Sequence, residues 1–366
     1  MPGPQATLRA CAGTLLALLA LLATATPVAA LPRQVAVPSA LFAPPREGAT
    51  PVEVGIRFDL HELNAIDDGA ETFDFTGVLT TRWRDPRQAF DPAAEGTAEK
   101  VFTGDYQFNE VSPGWYPQVV LVNAVGEPGK PGVSLRVRAD GTSTLVETIQ
   151  GTAKVSLAMR TYPFDRHRLE AVFEVLGFGA DEIRLVALDD AVAIDTDARL
   201  PQWTVDGASG EIRERGASYA GDSGRASAFV VAIDARREPF FVMRLIVFPL
   251  SFIVLLSFSV FWMDRSSLGD RINVSFIGIL TGVAYQIVVG DKLPHISYMT
   301  VIHGFLTMSF VTMCATVVVN LRVGALDKAG RFEAGDRVDR RCRWVFPAVY
   351  FGLMAAIGTV AAVFFG

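Results

Sequence analysis

Apolar positions along this chain follow two periods, one in the middle and another in the last third. Gly55-Ile56-Arg57-Phe58-Asp59-Leu60-His61 alternates apolar with polar, and the period of two returns at Leu169 to Val175 and at Val231-Ala232-Ile233, the mark of half-buried strands. Turn clusters separate such runs: Asp67-Asp68-Gly69, Gly126-Glu127-Pro128-Gly129 and Ala139-Asp140-Gly141-Thr142. Short strands over about 200 residues, without helical periodicity, predict a β-sandwich. After Pro239 the alternation stops. Four long apolar stretches follow at about 240–263, 272–289, 298–321 and 344–365, each close to the roughly 20 residues a helix needs to cross a bilayer. The predicted fold is an all-β immunoglobulin-like sandwich followed by an all-α four-helix transmembrane domain.

The N-terminus reads as targeting. Arg9, the apolar run Leu15 to Ala23 and the small residues Val28-Ala29-Ala30 make residues 1–30 a signal peptide. Residues 31–239 are then the exported domain and 240–366 the membrane domain, with 322–343 as a short linker. Arg265, Arg271, Arg322, Lys328, Arg331, Arg337, Arg340, Arg341 and Arg343 place the connections after the first and third crossings in the cytoplasm. The expected location is the inner (plasma) membrane, multi-pass, with the N-terminal domain extracellular or periplasmic.

Composition sharpens this division. The 366 residues are 50% hydrophobic and only 20% charged, with net charge −6, against about 25% charged in ordinary soluble domains. Residues 31–239 hold 21 Lys and Arg against 32 Asp and Glu, a balance of −11, and residues 240–366 hold 11 against 7, or +4. An acidic exported domain gathers cations and repels nucleic acid. Cys11 leaves with the signal peptide, so Cys314 and Cys342 remain and the exported domain has no disulfide framework. No HExxH, nucleophile elbow or glycine-rich phosphate loop occurs, so an enzyme is not expected.

The second crossing differs from its neighbours in carrying Asn273, Ser275, Thr281, Tyr285 and Gln286. Alternating steps of three and four residues trace Asn273, Ile277, Leu280, Ala284, Ile287 and Asp291 along one helical face. Polar ends and an apolar middle, repeated around an axis, make a pore with a constriction that closes by dewetting. The same polar residues are equally those a membrane helix uses to bond its neighbours.

Other motifs carry a family resemblance. Tyr162-Pro163-Phe164-Asp165-Arg166-His167 resembles the YPFD loop of pentameric ligand-gated ion channels, the Cys-loop receptor superfamily. Trp83-Arg84-Asp85-Pro86-Arg87 resembles its W-x-D-x-R strand, and Trp115-Tyr116-Pro117 with Asn123 its W-x-P segment. Arg236-Arg237-Glu238-Pro239, Pro249 with Phe261-Trp262, Gly269-Asp270-Arg271 and Leu293-Pro294-His295-Ile296-Ser297-Tyr298 follow in the family's order. Val155 and Leu169 stand about where animal members have the loop cysteines, and the short 322–343 linker stands where they have a cytoplasmic domain. The likeness is to the prokaryotic branch.

The resemblance implies a homopentamer in the lipid bilayer, a small-molecule agonist (amine, amino acid or proton) bound between subunits, permeant monovalent cations and no cofactor. It assigns Asp270, Asn273, Ile277, Leu280, Ala284, Ile287 and Asp291 to the pore and its charge filter. Asp67, Asp68, Tyr162, Pro163, Phe164, Asp165, Arg237, Pro294, His295 and Tyr298 fall in the coupling zone, with Asp165 and Arg237 as an ion pair. Trp83, Trp115, Phe178 and Tyr219 are the agonist-box candidates, although Leu176 stands near the family's box tryptophan. Asp189, Asp190, Asp195 and Asp197 are expected on a loop, as a divalent-cation site or a solvated acidic face. His167, His295 and His303 are candidate proton sensors. Acidic rings at Asp270 and Asp291 predict cation selectivity; anion selectivity, proton gating and a non-conducting solute receptor are the alternatives.

Overall fold

The computed structural model describes residues 41–365 apart from 42, 47, 105–111, 195–199, 219–223, 264–267, 291–292 and 294–296. The signal peptide, Tyr219, Asp291, Pro294 and His295, and with them Asp195 and Asp197, lie outside the described residues. Among these residues ten strands form two sheets: β1 (Val52–Asp67), β2 (Thr72–Arg84), β3 (Glu99–Gly104), β4 (Val119–Leu121), β5 (Gly129–Arg138), β6 (Thr142–Lys154), β7 (Arg166–Val175), β8 (Ile183–Ile194), β9 (Trp203–Gly216) and β10 (Arg225–Arg237). The six-stranded sheet has the order β3-β5-β6-β2-β1-β8 and the four-stranded sheet β4-β7-β10-β9. All pairings are antiparallel except β1 with β8.

Alternation becomes packing directly. Val52, Val54, Ile56, Phe58 and Leu60 of β1 are buried, with Glu53, Gly55, Arg57 and Asp59 between them more open. Phe58 meets Phe173 of the opposite sheet at 5.5 Å between ring centroids and Phe75 at 5.8 Å, so aromatic contacts span the sandwich. β10 departs from alternation, being buried continuously from Ala226 to Ile233. It is an interior strand whose other face is covered by a small cluster with Val172. Asn123 stitches the sheets together, donating to the carbonyls of Lys154 (2.8 Å) and Glu170 (2.7 Å) and accepting from the Val172 N–H (3.0 Å).

The W-x-D-x-R motif is a structural cap. Buried Asp85 accepts from the Arg87 N–H (3.0 Å), Arg87 Nε (2.8 Å) and Gln88 Nε2 (3.2 Å), opening the short 3-10 turn Pro86–Gln88. Gly141, at φ +81°, lies where a Cβ would strike the Asp85 carbonyl, so the β5–β6 turn requires glycine here.

Among the described residues four helices are long and apolar enough to cross a membrane: α1 (Phe240–Trp262), α2 (Leu268–Gly290), α3 (Val301–Lys328) and α4, whose helix runs Phe332–Phe365. Their bounds differ from those expected. α2 begins at Leu268 because Arg271, which ended the apolar run, is folded into the helix on an ion pair. α3 begins at Val301, after the N-cap Thr300, which leaves Tyr298 in the preceding loop. Residues 322–343 are mostly helical rather than a linker: α3 runs on to Lys328, α4 starts at Phe332, and Gly330 at φ +72° makes the turn. Helix-forming residues carry a helix past the end of its apolar stretch, and a left-handed glycine stops it.

Asp189 and Asp190 lie in β8, not in a loop, and both are exposed. Asp190 has φ +52° beside the register shift between β8 and β1. Among the described residues no group of three or more His, Cys, Asp or Glu could hold a metal ion.

Candidate functional site

The end of β10 meets the loop before β7 in a buried charged cluster. Arg237 Nε donates to Asp165 Oδ1 at 3.0 Å and Oδ2 at 3.1 Å, and its terminal nitrogen reaches Asp68 Oδ1 at 2.7 Å. Its guanidinium lies over Trp203 at 4.1 Å and Tyr162 at 4.8 Å from the ring centroids. β-sheet register explains the first contact, since Trp203 pairs with Arg237 across β9 and β10. His167 Nε2 is 2.6 Å from Asp165 Oδ2, and its ring lies 5.7 Å from Trp203. The Arg237 N–H donates to the Asp165 carbonyl at 3.1 Å, so backbone and side chain share the junction. Asp67 stays outside the cluster; its carboxylate accepts from the Gly69 and Ala70 N–H groups and shapes the β1–β2 turn.

Burial by itself raises the Asp165 pKa, but the His167 hydrogen bond and the Arg237 charge outweigh it and hold the carboxyl below the usual carboxylate range. Arg237 is held above its ordinary value: burial works against the charge, while the Asp68 hydrogen bond and the charge of Asp165 more than offset it. Burial raises the Tyr162 phenol, with Arg237 opposing.

This cluster sits directly over the helices, because only Glu238 and Pro239 separate Arg237 from α1. Pro163 and Phe164, flanking a cis Tyr162–Pro163 peptide, line an apolar cavity of about 310 Å³ with Met243 and Phe248 of α1, Phe305 of α3 and Met354 of α4. The loop before α3 also touches the β-domain: Tyr298 Oη accepts from the Met159 N–H at 3.0 Å. Asp68, Tyr162, Asp165 and Arg237 thus come together, while Pro163, Phe164 and Tyr298 form neighbouring contacts between the same two domains.

α2 is sorted by face. Arg271, Ser275, Gly282 and Val289 are buried against the rest of the subunit. On the opposite side Asp270, Asn273 and Ala284 are exposed, with Ile277 at 64%, Leu280 at 70% and Ile287 at 69%. Three of the five polar residues bond other helices of the subunit: Ser275 accepts from Asn320 (2.8 Å), Gln286 donates to the Leu306 carbonyl (3.2 Å), and the Tyr285 hydroxyl donates to the Leu245 carbonyl. Leu245 lies in the π-helical turn Met243–Val247 that precedes Pro249, so Tyr285 of α2 bonds α1 where its regular α-helical ladder is interrupted. Thr281 bonds the Ile277 carbonyl of its own helix at 2.8 Å.

The box candidates are mostly core. Trp83 and Trp115 are 2% and 5% exposed, edge to face at 5.9 Å, and Trp115 meets half-buried Phe178 at 6.3 Å. Two indoles packed into the sandwich leave Phe178 as the partly open member of this row.

Residues 39–239 match the neurotransmitter-gated ion-channel ligand binding domain. The chain belongs to this family of pentameric ligand-gated ion channels. It is 26% identical over 323 residues to the proton-gated ion channel of Gloeobacter violaceus, covering 88% of this chain and 86% of that protein. It is 23% identical over 305 residues to the human gamma-aminobutyric acid receptor subunit rho-3, covering 81% of this chain and 63% of the subunit. For human rho-2 the identity is 24% over 311 residues, with 83% and 64% covered, so the chain spans less than two thirds of these human relatives. This channel subunit is not an enzyme; it is a multi-pass membrane protein with an extracellular ligand-binding domain.

Two residues that complete the site, Trp203 and Asp339, carry no motif of their own in the sequence. Trp203 could be paired with Arg237 only through strand register. Asp339 accepts both terminal nitrogens of Arg271 at 3.0 and 2.8 Å. Its signal was visible as a single acid ahead of Arg340, Arg341 and Arg343.

Proposed function

We propose that the chain forms a homopentameric, cation-selective, ligand-gated channel of the inner membrane, with five copies of α2 around the conduction path. The observation that carries this reading is the exposed stripe of Asp270, Asn273, Ile277, Leu280, Ala284 and Ile287, opposite the face that packs into the subunit. Lipid would accept the apolar middle of this stripe but not Asp270 and Asn273 at its end, which are costly toward hydrocarbon, and this favours a water-filled path in front of that face. Leu280 forms the constriction, where ions lose hydration partners in the closed state. Asp270 and Asp291 form acidic rings that favour monovalent cations.

Agonist bound between ectodomains acts on the helices through the Arg237 cluster, the Pro163-Phe164 contact and Tyr298. Because β10 runs into α1 almost without a break, a shift of β7 against β10 is passed to the membrane domain through Asp165 and Arg237. The agonist is an amine, an amino acid or a proton.

A proton as agonist has a specific support in His167, 2.6 Å from Asp165 within that cluster. A charged imidazole there competes with Arg237 for the same carboxylate. The Gloeobacter relative is a proton-gated ion channel.

Recording from the reconstituted protein in asymmetric salt, while screening primary amines, amino acids and acid pH, tests both readings. Agonist-evoked current reversing near the cation equilibrium potential is expected. Absence of conduction under every condition overturns the channel reading, and reversal near the anion potential overturns cation selectivity. Acid activation unchanged in His167→Phe excludes that histidine as the sensor.

A further inference from the structure

Asp270 and Arg271 are adjacent and opposite in charge, at the end of α2 that follows the first crossing and so faces the cytoplasm. Five of each at one mouth cancel if both reach the lumen. Consecutive helix residues point about 100° apart, and the structure turns them to different surroundings. Asp270 is exposed beside Asn273, whereas Arg271 is fully buried.

Arg271 is held by a two-pronged pair with Asp339, which is 5% exposed on α4. Such a fork fixes the guanidinium in position as well as neutralising it. Other contacts hold the same end of the helix bundle. Asn320 donates to Ser275 at 2.8 Å, Gly324 packs against Leu268, and Arg343 Nε donates to the Phe261 carbonyl at 2.8 Å. Loss of Asp339 therefore frees the arginine without undoing all the contacts among α1, α2, α3 and α4.

We infer that Asp339 is a positioning residue for charge selectivity: it keeps Arg271 out of the permeation path, so that Asp270 sets the sign of the field at the cytoplasmic mouth. This rests on the cation-selective reading above. An arginine does not shed its proton when its partner is lost. It extends on its long stem to the nearest water, which for Arg271 includes the mouth one residue away. Each freed guanidinium then opposes an Asp270 carboxylate, and anions enter more easily.

Reversal potentials in asymmetric salt, taken on the full-length channel, test the inference. Asp339→Asn is expected to raise relative anion permeability about tenfold, since five added charges act at one mouth. Asp339→Glu and the double variant Arg271→Gln/Asp339→Asn are expected to retain the wild-type value, the second because no charge is freed. Asp339→Asn with the wild-type reversal potential, or a double variant that keeps the shift, overturns the inference. If Asp339→Asn fails to assemble, the exchange Arg271→Asp/Asp339→Arg decides: wild-type selectivity supports a sequestered pair, and altered selectivity overturns it. The wild-type reversal potential alone tests the underlying reading, whereas the differences between variants test the role of Asp339.

Discussion

Arg237 shows how one residue becomes a junction. It is covered by two aromatic faces and two carboxylates, and only Asp68 among its acidic partners has notable contact with water. Removing a partner leaves charge in a poorly solvated place, so Asp165→Asn is expected to destabilise the ectodomain by about 3 kcal/mol. Denaturant unfolding measures this, and an exchange of the two charges restores part of the loss. Asp165 has its pKa lowered in the fold, so its contribution is complete above the unfolded carboxylate value of about 4. It is lost as pH falls through the lower folded value. A pH series of thermal unfolding is expected to show an acid limb below about pH 4 that Asp165→Asn reduces. At the constriction, Leu280→Thr offers hydrogen bonds to water in the narrow section. The agonist concentration for half activation is expected to fall roughly tenfold, about 1.4 kcal/mol, and an unchanged dose-response curve counts against Leu280 as the gate.

At the scale of elements, α2 behaves as two surfaces. Gly282 and Ser275 admit neighbouring helices on one side, and Gly282 packs against Met313. Cysteines placed at 277, 280, 284 and 287 are expected to react with a water-borne thiol reagent in the open channel, while one at 275 is protected. Equal modification of both sets removes the pore assignment. The Tyr285 hydroxyl bonds the Leu245 carbonyl in the π-helical turn of α1. Tyr285→Phe is expected to cost about 1 kcal/mol, read as a lower melting temperature of the assembled protein. α4 joins the bundle at two levels: near its start Asp339 pairs with Arg271, and at mid-length Tyr350 reaches Ser309 at 3.0 Å.

Over the whole molecule, charge is separated along the axis of the membrane. The −11 balance of residues 31–239 belongs to the extracellular domain and the +4 balance of residues 240–366 to the part that holds the four membrane-length helices. Five copies would surround the pore entrance with an acidic vestibule that concentrates cations, an effect weakened by salt. Asp270→Ala is expected to move the reversal potential toward that of anions, and an unchanged value in a salt-dilution series removes Asp270 from the filter. Period-two alternation made the strands legible, and length with apolarity made the four helices legible, because burial from water is written into every position of such elements. The shared exposure of Ile277, Leu280 and Ile287 follows instead from the helical step of three and four residues along α2. The sequence by itself thus determined that a β-sandwich precedes four membrane-length helices, together with the candidate stripe of α2, but not the strand that holds Asp189 and Asp190 or the helices that fill most of 322–343. Tertiary structure alone decided which strands adjoin, that Trp203 lies over Arg237, that Trp83 and Trp115 are core, and that Arg271 is turned away onto Asp339. Those contacts join residues far apart in the chain, and no local propensity or period encodes a partner that only folding brings near.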